Sequence, residues 1–158
     1  MLKLPLTHPQ LLEALASAGH GSTILVADGH YPVATASHPL APRVFLNLRP
    51  GVVDATSVLD CIVAVTPIEA VVVMAAAGLE DEPPIWAEYR RILTASGKAS
   101  IELEEVDRDA FYELARRPDL AVAIATGEEG IYANLLLTIG VRADLDRRIK
   151  PRVVSNSS

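Results

Sequence analysis

The chain of 158 residues has one cysteine, few aromatics, no block of basic residues and no long hydrophobic run. A single thiol, Cys61, excludes an internal disulfide framework. It stands in the apolar stretch 58–65, where a free cysteine reads as a small buried hydrophobe. No Cys and His pair has the spacing of a zinc site. Aromatics make up 4% of the residues while half are hydrophobic, so the core is expected to be aliphatic. Fourteen Lys and Arg against twenty Asp and Glu leave a net charge of −6, with no basic stripe to track phosphates. That argues against nucleic acid as the main partner. The most apolar runs, Ala70 to Gly78 and Leu120 to Ala125, fall far short of the ~20 residues that span a bilayer. The start of the chain lacks the apolar region of a signal peptide. A cytoplasmic protein with no membrane partner is the expectation. GxGxxG, Walker A and GxSxG sequences are all missing, so neither a nucleotide-phosphate loop nor a serine elbow is expected. The chemistry left is acid–base work, with no metal and no cofactor.

What is present is an alternation of strand and helix patterns. Thr7 as cap, Pro9 in the first turn and Gln10 open a helix carrying Leu11, Leu12, Leu15 and Ala16 on one face, with Gly19 as a left-handed stop. Residues 23–27 form a short strand apolar on both faces. Further strands are expected at 43–48, 70–76, 100–105, 120–125 and 132–141. Helices are expected at 54–64, 85–96 and from Asp107 to about Arg117. This is a single α/β domain of three layers, α/β/α, with a mostly parallel or mixed central sheet, over residues 1–141. Residues 142–158, charged and then polar, read as a loosely held tail.

The densest group of polar residues surrounds the first strand. His20 follows the first helix, while Asp28 and His30 follow the strand. A histidine moves protons near neutral pH, and a neighbouring carboxylate would fix its tautomer. Ligands of open α/β sheets bind outside the carboxyl ends of strands, where Asp28 stands. The plainer readings are a helix-end cap for His20 and an Asx turn for Asp28. Arg108, Glu128 and Glu129 are charged residues of loops beside strands, and surface charges on the plainer view. Tyr132 and Asn134, two apart in an expected strand, share a face. Together they could pack on a sugar ring and hydrogen-bond its hydroxyls, or simply be the polar face of an edge strand.

Several segments, in order, carry a resemblance. They are Gly19-His20-Gly21, Asp28-Gly29-His30-Tyr31-Pro32, Val73-Met74-Ala75-Ala76, Asp107-Arg108-Asp109-Ala110-Phe111-Tyr112-Glu113, Thr126-Gly127-Glu128 and Tyr132-Ala133-Asn134-Leu135-Leu136. They span Leu11 to about Val141 and resemble the ribose pyranase and fucose mutarotase family. The aspartate-x-histidine-x-proline form is closer to the fucose branch. The resemblance implies an isomerase that interconverts the anomers, or the pyranose and furanose forms, of a free monosaccharide. It implies His20 as catalytic acid on the ring oxygen, with Asp28 holding His20 or a sugar hydroxyl. Arg108 and Asn134 would grip other hydroxyls, Tyr132 would cover an apolar face, and Tyr112 is a further contact. It also implies a homo-oligomer, commonly a decamer, with sites near subunit boundaries. Ser22 and Glu129 depart from the family pattern and bear on which sugar fits. The rival from another class is a non-catalytic sugar-binding accessory protein of transport or regulation. Those two departures speak for it, and the retained His20 and Asp28 speak against it.

Overall fold

The computed structural model describes residues 1–97 and 101–142. In chain order the elements are α1 (Pro9–Ser17), β1 (Thr23–Ala27), β2 (Arg43–Phe45), α2 (Ala55–Val63), β3 (Ile68–Met74), α3 (Pro84–Ala95), β4 (Leu103–Val106), α4 (Arg108–Ala115), β5 (Leu120–Ala125) and β6 (Leu135–Ile139). Six strands make one sheet in the order β2-β5-β1-β6-β3-β4. β6 is antiparallel to both its neighbours, β1 and β3. The pairs β1–β5, β2–β5 and β3–β4 are parallel. Five strands therefore run one way and β6 runs back through the middle. The carboxyl ends of the five and the amino end of β6 share one rim.

The strands read as apolar on both faces because both faces are covered. Ile24 and Val26 point into one core with Leu11 of α1, Leu59 and Ile62 of α2, and Trp86 and Tyr89 of α3. Leu25 and Ala27 point into the other, with Phe111 and Ala115 of α4 and Tyr31, Val33 and Ala36 of the loop after β1. Each fully buried Leu or Ile here contributes about 1.5–3 kcal/mol. The three layers are uneven: three helices on one face, one helix and a packed loop on the other. This agrees with the expected mixed α/β/α architecture.

Several local expectations need correction. The cap of α1 is His8, whose Nδ1 accepts from the Leu11 amide at 3.4 Å, rather than Thr7. Pro9 then takes the first helical position, where its missing N–H costs nothing. α1 ends in extended backbone at Ala18, and the left-handed glycine is Gly21, with φ +82°, not Gly19. β2 stops at Phe45, β3 starts at Ile68, and β4 runs from Leu103 to Val106. Cys61 is half-buried on α2 rather than fully buried; its Sγ lies 3.7 Å from the Pro5 carbonyl oxygen, and burial pushes the thiol pKa up. The expected strand 132–141 begins only at Leu135. Of the expected tail, 143–158 lies outside the described residues, as does Ser100.

Candidate functional site

Asp28 is the residue after β1, and its carboxylate is the centre of the rim. Oδ1 accepts from the backbone N–H groups of His30 and Tyr31, both at 2.9 Å, closing an Asx turn. The Asp28 amide donates to Asn134 Oδ1 at 2.9 Å, and Asn134 Nδ2 donates to Asp28 Oδ2 at 2.8 Å. Asp28 and Asn134 are thus locked by two reciprocal bonds, with both residues buried. Burial pushes the Asp28 carboxyl above its ordinary value, against the pull of the surrounding backbone N–H groups and of His30. The plainer reading of Asp28 as a turn residue is met: Oδ1 builds the turn, while Oδ2 faces Asn134.

The next loop on the rim is stitched to this one. After β5, the Thr126 hydroxyl donates to the Ala27 carbonyl at 2.7 Å and the Gly29 amide donates to the Glu128 carbonyl at 2.8 Å. Glu128 is structural: Oε2 accepts from the Ala55 amide at the start of α2 and Oε1 from the Gly130 amide. Gly127 packs so tightly that an added Cβ would stand 2.5 Å from the Val52 carbonyl oxygen. Glu129 lies with Arg49 and Asn47 along a second cavity, beside His30, and not on the Asp28 cavity.

A cavity of about 310 Å³ opens over Asp28 and Asn134. Its walls are Arg108 and Tyr112 from α4, Met74 and Ala77 at the end of β3, Ile131 and Tyr132 before β6, and His30 and Tyr31 after Asp28. The volume is at the small end for a small-molecule site. Arg108 is the first residue of α4, set there by Asp107, whose carboxylate caps the helix on the Ala110 amide at 2.9 Å. Tyr112 meets Tyr31 edge-on at 5.2 Å between ring centroids, and Arg108 and Arg116 stand over its ring at 6.0 and 5.6 Å. Tyr132 is not on a strand, as the period-two spacing had predicted. It has φ +59°, the left-handed region, and its hydroxyl donates to the Ala77 carbonyl at 3.0 Å. Tyr132 and Asn134 still line the same cavity, because the turn re-aims Tyr132. Five of the six expected site residues, Asp28, Arg108, Tyr112, Tyr132 and Asn134, therefore meet.

His20 does not join them. It precedes β1, at the opposite rim, where Gly21 donates to the Ile139 carbonyl at the far end of β6. The five residues of β1, about 16 Å at ~3.3 Å per residue, separate it from Asp28. Its Nε2 lies 3.1 Å from both carboxylate oxygens of Glu69 on β3, and its side chain is 59% exposed. The expected His20–Asp28 contact does not form within one chain; the carboxylate beside His20 is Glu69. Cavity residues beyond the six expected contacts are His30, Tyr31, Met74, Ala77 and Ile131. His30 stood in the polar group around β1, though with no contact assigned to it. Tyr31 follows it in the same turn, and the other three are apolar wall with no signal of their own. Among the described residues no three His, Cys, Asp or Glu side chains are grouped to hold a metal, and no helix is long and apolar enough to cross a membrane.

A single mixed sheet, with a small polar-floored, aromatic-walled cavity on its carboxyl rim, defines a small-molecule-binding α/β protein. The model of the RbsD / FucU transport protein family matches residues 1–142. The fucose mutarotase of Homo sapiens is 32% identical, over 87% of this chain and 91% of that protein. The crystal structure of the fucose mutarotase of Streptococcus pneumoniae in complex with L-fucose superposes with a TM-score of 0.78 at 28% identity, covering 90% of this chain and 99% of that one. The structure of Bacillus subtilis RbsD complexed with D-ribose gives a TM-score of 0.71 at 25% identity, covering 90% and 99%. The chain belongs to the RbsD / FucU family.

Proposed function

We propose that the protein is a monosaccharide mutarotase, closer to the fucose than to the ribose type. The observation that carries this is the Asp28–Asn134 lock on the floor of a cavity walled by Tyr132, Tyr112 and Arg108. Relatives named fucose mutarotase and solved with L-fucose support the same reading.

Mutarotation removes the proton of the anomeric hydroxyl and delivers a proton to the ring oxygen. The bond from the anomeric carbon to the ring oxygen breaks, and the open aldehyde closes again on its other face. Asp28 keeps acceptor capacity after its three internal bonds, since each carboxylate oxygen takes two donors. It holds a sugar hydroxyl there, and Asn134 fixes its plane. Arg108 donates to further hydroxyls. Tyr132 and Tyr112 cover carbon-bound faces of the ring. A positioned acid or base contributes about 10²–10⁴-fold.

His20 is the proposed acid, and with the length of β1 between it and Asp28 the reading draws it from a second copy of the chain. Glu69 holds Nε2, leaving Nδ1 to reach across a subunit boundary. The reading thus includes a cytoplasmic homo-oligomer, a decamer by family likeness, with shared sites. The placement of His20 equally favours a second reading, a sugar binder without exchange.

The test is proton NMR saturation transfer between anomeric signals of free sugars, L-fucose and D-ribose first, with and without protein. Transfer that is lost in His20→Ala supports the mutarotase. Saturable binding without transfer selects the binder. Mixtures of His20→Ala and Asp28→Asn subunits recover transfer if the sites are shared.

A further inference from the structure

α3 contributes no residue to the cavity wall, yet it holds the backbone that shapes the cavity. Its buried face presents Trp86 and Tyr89, three residues apart and 2% and 0% exposed. The Trp86 indole N–H donates to the Tyr132 carbonyl at 2.9 Å, and the Tyr89 hydroxyl donates to the Ala133 carbonyl at 2.7 Å. These are consecutive carbonyls, in the segment entering β6. The first belongs to the one non-glycine residue with positive φ among the described residues. The second belongs to the residue before Asn134. A bulky residue resists the left-handed region unless its surroundings hold it there. Here the holding groups are the two polar atoms of an otherwise apolar helix face.

We propose that Trp86 and Tyr89 are positioning residues of the sugar site. They fix the backbone so that the Tyr132 ring faces the cavity and the Asn134 amide meets Asp28. The inference rests on the sugar-site reading for its kinetic consequence but not for its structural one. Trp86 acts on Tyr132, and so on sugar affinity. Tyr89 acts one residue further on, and so on the Asp28–Asn134 pair and turnover. Trp86 is also the sole tryptophan of the chain. With its N–H on the carbonyl of a cavity residue, its emission is expected to respond to what occupies the cavity.

Trp86→Phe and Tyr89→Phe keep an aromatic ring in the core and remove the donor. Both are expected to fold and to melt within about 5 °C of the parent, the scale for one hydrogen bond in a domain of this size. In saturation-transfer kinetics, kcat/KM is expected to fall about tenfold in each. The fall lies mainly in KM for Trp86→Phe and mainly in kcat for Tyr89→Phe. A purely structural role would leave both constants at parent values in the folded variants, and that result overturns the proposal. A second arm needs no sugar. Hydrogen–deuterium exchange of peptides covering 26–33 and 128–135 is expected to quicken at least fivefold in the variants, with the peptide over 120–125 unchanged. Parent-like protection over 26–33 and 128–135 in both variants overturns the clamp. If the parent protein exchanges no sugar, the mutarotase reading falls, and the exchange of amide hydrogens still decides the clamp.

Discussion

Replacing Asn134 by Asp tests the floor of the site with an almost isosteric change. Asn134 gives one donor and one acceptor to Asp28, at 2.8 and 2.9 Å. A protonated carboxyl does the same, so Asn134→Asp at low pH keeps both bonds. At neutral pH two carboxylates would face each other. At the 2.8 Å now separating Nδ2 from Oδ2, and an effective dielectric near 20, repulsion is about 6 kcal/mol. Retaining a proton is cheaper: holding a carboxyl neutral at pH 7 against an unfolded pKa of ~3.9 costs about 4 kcal/mol. The pair therefore keeps one proton, as like charges in one site do. The sign follows from the raised folded-state pKa. The variant is close to the parent near pH 4, and its deficit grows by about 1.4 kcal/mol per pH unit to about 4 kcal/mol at pH 7. In melting temperature the deficit at pH 7 is about 8–16 °C. Urea unfolding of parent and variant from pH 5 to 7.5, at one protein concentration, reads the slope directly. A gap of constant size over that range would mean that Asp28 and Asn134 are not paired, and the account of the site floor would be wrong.

Asp28 must be ionised to accept its donors and a hydroxyl, and burial raises its pKa. Saturation transfer against pH should therefore lose rate on acidification with a midpoint above the ordinary aspartate value of ~3.9, and unchanged rate through that range would exclude Asp28. Gly127→Ala would drive a Cβ against the carbonyl oxygens of Val52 and Arg49; we expect a loss of 2 kcal/mol or more, seen as a melting temperature lower by at least ~4 °C. His20→Ala should leave the melting temperature within ~2 °C, since an exposed ion pair contributes about 0–1 kcal/mol, while abolishing catalysed exchange and sparing sugar binding measured by titration of Trp86 emission.

The fold was legible where local pattern and burial agree. Thr23–Ala27 and Leu120–Ala125 read as strands because neither face of either strand is polar, and both proved to lie inside the sheet. Asp28 was legible as a candidate because a carboxylate ending such a strand has few places to be. The region entering β6 was not legible. Tyr132 and Asn134 fit a period of two, and the contacts made where that stretch leaves strand geometry are long-range: α3 on carbonyls 132 and 133, and the Ala77 carbonyl on the Tyr132 hydroxyl. The carboxylate beside His20 was not legible for a similar reason. Nearness to Asp28 in the chain suggested nearness in space, yet an extended strand between two residues is what separates them most per residue. The Glu69 partner comes from β3, and nothing in the local sequence announces it.

The reversed direction of β6 divides the rim into two kinds of residue. Segments leaving a strand can lengthen or change shape beyond the sheet, because nothing downstream must return to a fixed position at once. Residues 131–134 instead deliver the chain into a strand paired on both sides. An inserted residue there would force β6 to slip against β1 and β3 together, exchanging its Leu135 and Leu136 faces. Diversity in what the cavity accepts therefore has room in the loops after β1 and β3, since the segment after β5 runs directly into β6. The Tyr132–Asn134 segment changes only by substitution, and its spacing is held by the sheet itself.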